Sequence, residues 1–221
     1  MAARSVAPLP PRLQRALTAV EPGHLVDGLD WDGVDVAGDF SGQWARAMEI
    51  TGSRISGARF TGSNLDRVRI RDTVIDSCDF SGARLVDAAL VRVEFRACRM
   101  SAIDLAGARL SDVLFSETKL DHANFAMVSG DHVRFDHAQM EASNFYAAKV
   151  ADAQYFDCDL TATELSQSDL AGVRLHGSTL EGLKGAGDLH GAVIDSGQVL
   201  PLALAMFGAL GIEIDDDREA P

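Results

Sequence analysis

The chain has 221 residues, a formal net charge of -13 and a pI near 4.7, a balance that disfavours binding nucleic acid by phosphate neutralisation. Its three cysteines, an odd number, argue against a secreted disulfide framework. The N-terminus lacks a signal-peptide core, and no stretch approaches the roughly 18 apolar residues of a membrane helix, so a cytoplasmic protein without membrane contact is expected.

Residues 1–23 are rich in Pro and Ala, with three arginines and one acid. Arg12–Val20 has the composition for two turns of helix, closed by Glu21-Pro22-Gly23. The segment reads either as a frayed tail or as a cap over whatever follows. From Leu25 to Asp39 the pattern is hesitant. Leu29 and Val34 are five apart, then Phe40 arrives six later, which predicts one extra residue and an imperfect first unit. Asp27, Asp30, Asp32, Asp35 and Asp39 make this edge acidic.

From Phe40 to Leu180 every fifth residue is large and apolar at 27 of 29 positions, without a change of phase. A helix repeats near 3.6 residues and a strand at 2, so neither template fits. A spacing held this long means that each unit returns to an equivalent environment, the signature of a solenoid whose coils stack on their neighbours. Two residues before each large one stands a second, mostly small column, such as Ala58, Ser63, Cys78, Ala83 and Ala108. Both columns exclude charge and must face inward. The other three positions carry Asp, Asn, Arg, Lys, Ser, Gly and His. An unbroken period argues for one elongated unit.

Units such as Ala83-Arg84-Leu85-Val86-Asp87, Ala108-Arg109-Leu110-Ser111-Asp112, Ala123-Asn124-Phe125-Ala126-Met127 and Ser168-Asp169-Leu170-Ala171-Gly172 resemble the A(D/N)LXX motif of the pentapeptide-repeat family. The resemblance covers roughly two thirds of the chain. It implies an all-β solenoid, a right-handed quadrilateral β-helix of about seven coils, each of four pentapeptides. Residues twenty apart then stack at the strand spacing of about 4.8 Å. Phe40, Phe60 and Phe80 form one internal ladder, Phe95, Phe115, Phe135 and Tyr155 another, and Phe125 lies over Phe145. Cys78 and Cys98 become neighbours, with Cys158 further along. Parallel inward side chains suit a disulfide poorly, so these cysteines read as small core residues.

Gly130 interrupts the large column between Leu110 and Val150. Either the backbone moves inward there, or Met127 or Val128 fills the space, and a bulge over Val128–Asp131 is expected. Asp121-His122, Asp131-His132 and Asp136-His137 invite a metal or hydrolase reading, but each His has the same outward place in a unit on a different wall. Zinc ligands must converge within about 2.0–2.2 Å of the ion. No nucleophile–base pair, phosphate loop or CxxC motif is present. The chain reads as no enzyme, with no cofactor and no metal.

Charge is uneven. Residues 41–110 carry net +3, residues 111–181 net -8, and residues from 182 onward net -5. The acidic half suggests a partner surface made by Asp121, Asp131, Asp136, Glu141, Asp152, Asp157, Asp159, Glu164 and Asp169. After Leu180 the period fails. Gly182–Gly187 reads as flexible and Leu189–Ile194 as a short extended piece. Asp195 or Ser196 can cap a helix that runs to about Leu210 and stops at Gly211. Its residues Val199, Leu200, Leu202, Met206, Phe207 and Leu210 leave no polar face, so one side packs on the last coil and the other requires a partner. A closing strand at Ile212–Ile214 follows.

The predicted organisation is an N-terminal extension at 1–23, the repeat solenoid at 24–184, a capping and dimerisation segment at 185–214, and an acidic tail at 215–221. A helix-plus-strand end of this kind resembles that of the pentapeptide proteins that act on DNA gyrase and dimerise tail to tail. By that resemblance the chain is a homodimeric DNA mimic that binds DNA gyrase and modulates quinolone sensitivity. The arginines at 59, 67, 69, 71, 84, 92, 96 and 99 depart from phosphate mimicry. The alternative is an interaction scaffold for a different protein, through outward apolar residues such as Val91, Leu114, Tyr146 and Phe156, the last placed near Arg134, Asp136 and Arg174.

Overall fold

The computed structural model describes residues 7–20 and 23–212. Within them the chain winds as a parallel β-solenoid of about seven turns, followed by one α-helix. The strands are β1 (Thr18–Val20), β2 (Asp30–Asp32), β3 (Val34–Val36), β4 (Glu49–Thr51), β5 (Arg54–Ser56), β6 (Arg69–Asp76), β7 (Ala89–Arg96), β8 (Arg109–Ser116), β9 (Ser129–Asp136), β10 (Lys149–Val150) and β11 (Gln154–Phe156). The helix is α1 (Val199–Ala209).

The five-residue period explains this winding. Leu, Ile, Phe and their partners two residues earlier point in, and the chain turns between them. Two residues after each large one the backbone bends through positive φ, as at Asp72, Arg92, Asp112 and His132, with φ between 52° and 55°. Asp and His visit this region more readily than bulky residues do. Four such turns bring the chain back one coil higher. Arg69 pairs with Ala89, Ala89 with Arg109 and Arg109 with Ser129, a constant offset of twenty. Between the strands single bridges keep the same offset, from Asn64 through Arg84, Asp104, Asn124 and Asn144 to Glu164. Each turn's amides also bond the next coil, as when Phe60 N–H donates to the Asp79 carbonyl at 2.7 Å.

The interior is filled as the period requires. Phe40, Phe60 and Phe80 stack at centroid distances of 5.0 and 4.7 Å. Phe95, Phe115, Phe135 and Tyr155 stack at 5.0, 4.8 and 4.8 Å, and Phe125 lies 4.7 Å from Phe145. The ladders meet edge to face, Phe115 on Phe125 at 6.0 Å. Rings of this size bury 150–250 Å² each and dominate the packing energy. Cys78, Cys98 and Cys158 are buried free thiols, and burial pushes the Cys158 thiol up to about 12.

Four expectations are corrected. First, Arg12–Val20 is not helical. Its end is β1, which pairs in parallel with β3, while the residues before it run extended along the outside of the solenoid. Prolines at 8, 10 and 11 suit an extended strap. Second, the first coil is phased on Trp31 and Val36, not on Leu29 and Val34. Trp31 lies over Ile50 and Val36 over Ile55, nineteen residues on. Phe40 therefore follows Val36 by four, and the irregularity is a missing residue rather than an extra one. Trp31 is buried with its ring edge-on to Phe40 at 5.6 Å, whereas Leu29 and Val34 occupy the small column.

Third, Gly130 sits in unbroken register between Leu110 and Val150, with no bulge. Val128 is buried in its own column, and Met127 is exposed. The backbone itself fills the gap, because a Cβ on Gly130 would collide with the Leu110 carbonyl oxygen. Fourth, Gly185–Ile194 is not an extended piece. Ala186–Asp188 forms a 3-10 turn, and only Val193 returns to a bridge, with Arg174. That bridge carries the coil past residue 184. The expected strand at Ile212–Ile214 and the tail at 215–221 lie outside the described residues, apart from Ile212, which is in no strand.

Asp195 caps the turn that leads into α1. Its side chain accepts from Gly197 N–H, and the Gln198 side chain accepts from Asp195 N–H at 3.0 Å. The buried Gln198 amide donates to the Leu175 and Ser178 carbonyls, fixing the turn to the last coil. Leu202 and Ala205 pack on the core.

Candidate functional site

The expected acidic surface is a girdle, not one face. Asp121 and Glu141 are twenty apart and share a column, but Asp131, Asp136, Asp152, Asp157, Asp159, Glu164 and Asp169 occupy seven further columns. Several have local partners. Asp136 pairs with Arg134 at 2.6 Å, Asp121 with Lys119 at 3.8 Å, and Asp157 with His137 at 3.8 Å. His132 Nδ1 lies 3.2 Å from Asp112 and 3.5 Å from Asp131. Asp159 is held below the usual carboxylate range by hydrogen bonds from Thr161. The field of this half is therefore spread around the solenoid and partly neutralised.

His122, His132 and His137 stand on three separate turns, each with positive φ. Among the described residues no group of three or more His, Cys, Asp or Glu is placed to hold a metal ion.

A second surface lies on the β9–β11 side. The Arg134 guanidinium sits 4.9 Å from the centre of the Phe156 ring, a cation–π distance. Phe156 also meets His176 edge-on at 6.1 Å. Arg134 Nε and His176 Nδ1 are buried atoms without a hydrogen-bond partner. Sequence spacing places Phe156 beside Arg134, and the structure brings these two together. Arg174 continues the column of Arg134 and Gln154. Elsewhere Tyr146 is exposed, and its hydroxyl donates to Gln167 Oε1 at 2.8 Å. Leu114 and Val91 are half-buried.

The third surface is α1. Val199, Leu200, Leu204, Met206, Phe207 and Leu210 are exposed, Leu210 at 70%. Between α1 and the last coil, at residues 181–185, opens a cavity of about 700 Å³, with Leu200, Pro201, Leu204 and Gly208 on its helical side. So large an unpartnered apolar patch marks an interaction site.

The strap was missed from sequence. Leu9 N–H donates to Asp112 Oδ1 at 3.0 Å and Arg12 N–H to Asp72 Oδ1 at 3.1 Å. Gln14 N–H donates to the Gly52 carbonyl and Thr18 N–H to that of Gly33. Arg92 grips Asp72 with two bonds of 2.6 Å and holds its carboxyl below the usual range. Gly33 and Gly52 turn through positive φ, and any Cβ there would meet the Gln14 side chain. The run Pro-Leu-Pro-Pro was the available signal, but nothing in it says which wall receives it.

A stacked parallel solenoid with a five-residue period and a helical C-terminus defines a repeat protein with no catalytic constellation on the page. A family model described as a pentapeptide repeat region matches residues 48–125, and one described as pentapeptide repeats matches residues 108–146. The chain belongs to the pentapeptide-repeat family. No curated protein matches its sequence. Among solved structures it is similar to a trypsin-treated form of QnrB1, a plasmid-mediated fluoroquinolone resistance protein, at 24% identity and a TM-score of 0.51, covering 90% of this chain and 99% of that one. It is also similar to HetL, a pentapeptide repeat protein involved in heterocyst differentiation regulation from the cyanobacterium Nostoc sp. Strain PCC 7120. That match has 18% identity and a TM-score of 0.46, covering 76% of this chain and 85% of that one.

Proposed function

We propose that this protein is a non-enzymatic protein-binding rod that works as a homodimer joined through α1, and that its acidic half takes the place of DNA on DNA gyrase. One observation carries the reading. The segment with net -8, residues 111–181, runs directly into a helix whose outer face is apolar and uncovered. Two copies joined there present one long rod with its negative charge at the middle. The resemblance to gyrase-acting pentapeptide proteins supports the partner, and the QnrB1 likeness supports the fold.

Purified protein in a gyrase supercoiling assay is expected to inhibit the enzyme or to protect it from a quinolone. No effect at large molar excess overturns the gyrase reading. For the dimer, light scattering on a size-exclusion column should give twice 23.6 kDa, and Leu210→Glu should halve that mass.

A second reading, a scaffold for a different protein, is favoured by the Arg134–Phe156–His176 surface, whose two unpartnered nitrogens lie beside an aromatic ring. Under this reading Phe156→Ala abolishes capture of a non-gyrase partner and leaves supercoiling untouched.

A further inference from the structure

The wall beneath the N-terminal strap has the geometry of a peptide groove. Along it, acceptors recur at every second coil. Asp112 and Asp72 each offer Oδ1 to the strap, and Arg92 stands between them, tied to Asp72. Two coils of a parallel stack rise about 9.6 Å. Three residues of polyproline II rise about 9.3 Å, and residues three apart return to the same face. The two repeats match, and the strap uses the match. Within Pro8–Arg12 the sole backbone N–H groups belong to Leu9 and Arg12, because positions 8, 10 and 11 are proline. Both donate to the aspartates.

The fit is loose. Leu9, Pro10, Arg12 and Gln14 are exposed, and Pro8, Pro11 and Leu13 are only half-buried. Cavities of about 230 and 540 Å³ remain between strap and wall. The first is floored by Glu94, Leu114, Arg134 and Asp136, and the second by Val74, Asp76, Glu94 and Arg96. A segment that only stapled the coils together would fill this space. A segment that must be able to leave need not. Two coils beyond Asp112 the column continues to Asp152, on a turn of the same kind, so a longer occupant would find a third acceptor.

We propose that this wall is a docking groove for an extended, proline-containing segment of a partner protein, with free N–H groups three residues apart. The chain's own residues 7–20 are its resident competitor and keep it closed until a better-fitting segment arrives. The surface is separate from the acidic girdle and from α1.

The test uses the full chain with a protease site in place of residues 21–23, cut after folding, and a fluorescent peptide of residues 7–20. The cut protein is expected to exchange its strap for the labelled peptide, with saturable binding. The uncut protein should bind it at least about tenfold more weakly, because a tethered strap acts at millimolar effective concentration. The same peptide N-methylated at Leu9 and Arg12 should lose about tenfold or more, losing both donors. Equal binding of the methylated peptide overturns the proposal, as does no binding by a cut protein whose circular dichroism is intact. Swapped dimers without peptide uptake also overturn it, since the groove would then be reserved for a second copy. If cutting unfolds the solenoid, hydrogen exchange on the uncut chain decides. The Leu9 and Arg12 amides should exchange far faster than those of β7 and β8, and equal protection identifies a permanent staple.

Discussion

Between Arg69 and Asp136 each coil holds eight consecutive residues in strand, whereas beyond Val150 the same five-residue spacing yields a three-residue strand and then single bridges. Both regions have fully formed interiors, with Phe115 and Leu180 equally buried. The period therefore decides which side chains face in, and it does not decide how much of the wall becomes strand. Continuity follows β-propensity. The run Arg69–Asp76 contains Ile, Thr, Val and Ile, and Ala89–Arg96 contains two Val and a Phe, while the equivalent Asp169–His176 offers only Val173 and a turn at Gly172. Branched and aromatic side chains suit a pleated wall, and Gly, Ala and Asp do not.

The contrast is broken most severely at the ladder. Phe115→Ala removes a ring stacked on two neighbours and should cost about 3–5 kcal/mol, while Leu170→Ala among the bridges should sit nearer about 2 kcal/mol, because looser surroundings collapse more readily. Urea unfolding measures both, and equal losses would show that wall continuity adds nothing. Gly130→Ala tests the tight spot in β9. Overpacking there should cost about 1–3 kcal/mol and accelerate amide exchange in β8 and β9, leaving the bridge-only coils unchanged.

The strap gives a smaller, pH-dependent effect. Arg92 lowers the Asp72 carboxyl in the folded state. Its contribution is therefore fully present above the unfolded value of about 3.9 and is lost as pH falls through the lower folded value. The Arg12 amide should stay protected at neutral pH and open in acid below that point, while the backbone-bonded strands of β6–β8 hold. Asp72→Ala should remove the acid step. The smallest effect belongs to Tyr155→Phe. Its hydroxyl is buried without a partner, and burial pushes its acidity far out of range. Removing it should leave stability unchanged or raise it by up to about 1 kcal/mol, in contrast to the loss at Phe115 on the same ladder.

The interior was legible because inward positions admit few residue types. Phe40, Phe60 and Phe80 announce their stack through spacing alone. The first coil was misphased because Leu29 and Val34 imitate the large column, and only the stacking of Trp31 on Ile50 distinguishes them. The strap was illegible for a different reason. Its hydrogen bonds leave from main-chain amides, and they land on Asp72 and Asp112, which the repeat marks merely as outward and polar. The acidic residues were counted correctly along the chain, but a net charge carries no azimuth, and Arg134 and His137 sit against Asp136 and Asp157.

The constant offset of twenty has one more consequence. Each coil touches only the coil above and the coil below, so excising the twenty residues between Met140 and Thr161 would rejoin matching surfaces. The molecule would shorten by about 4.8 Å without disturbing the N-terminal anchor or the terminal helix. Its length is thus a graduated quantity, adjustable one notch at a time by in-frame loss or duplication of sixty nucleotides of coding sequence.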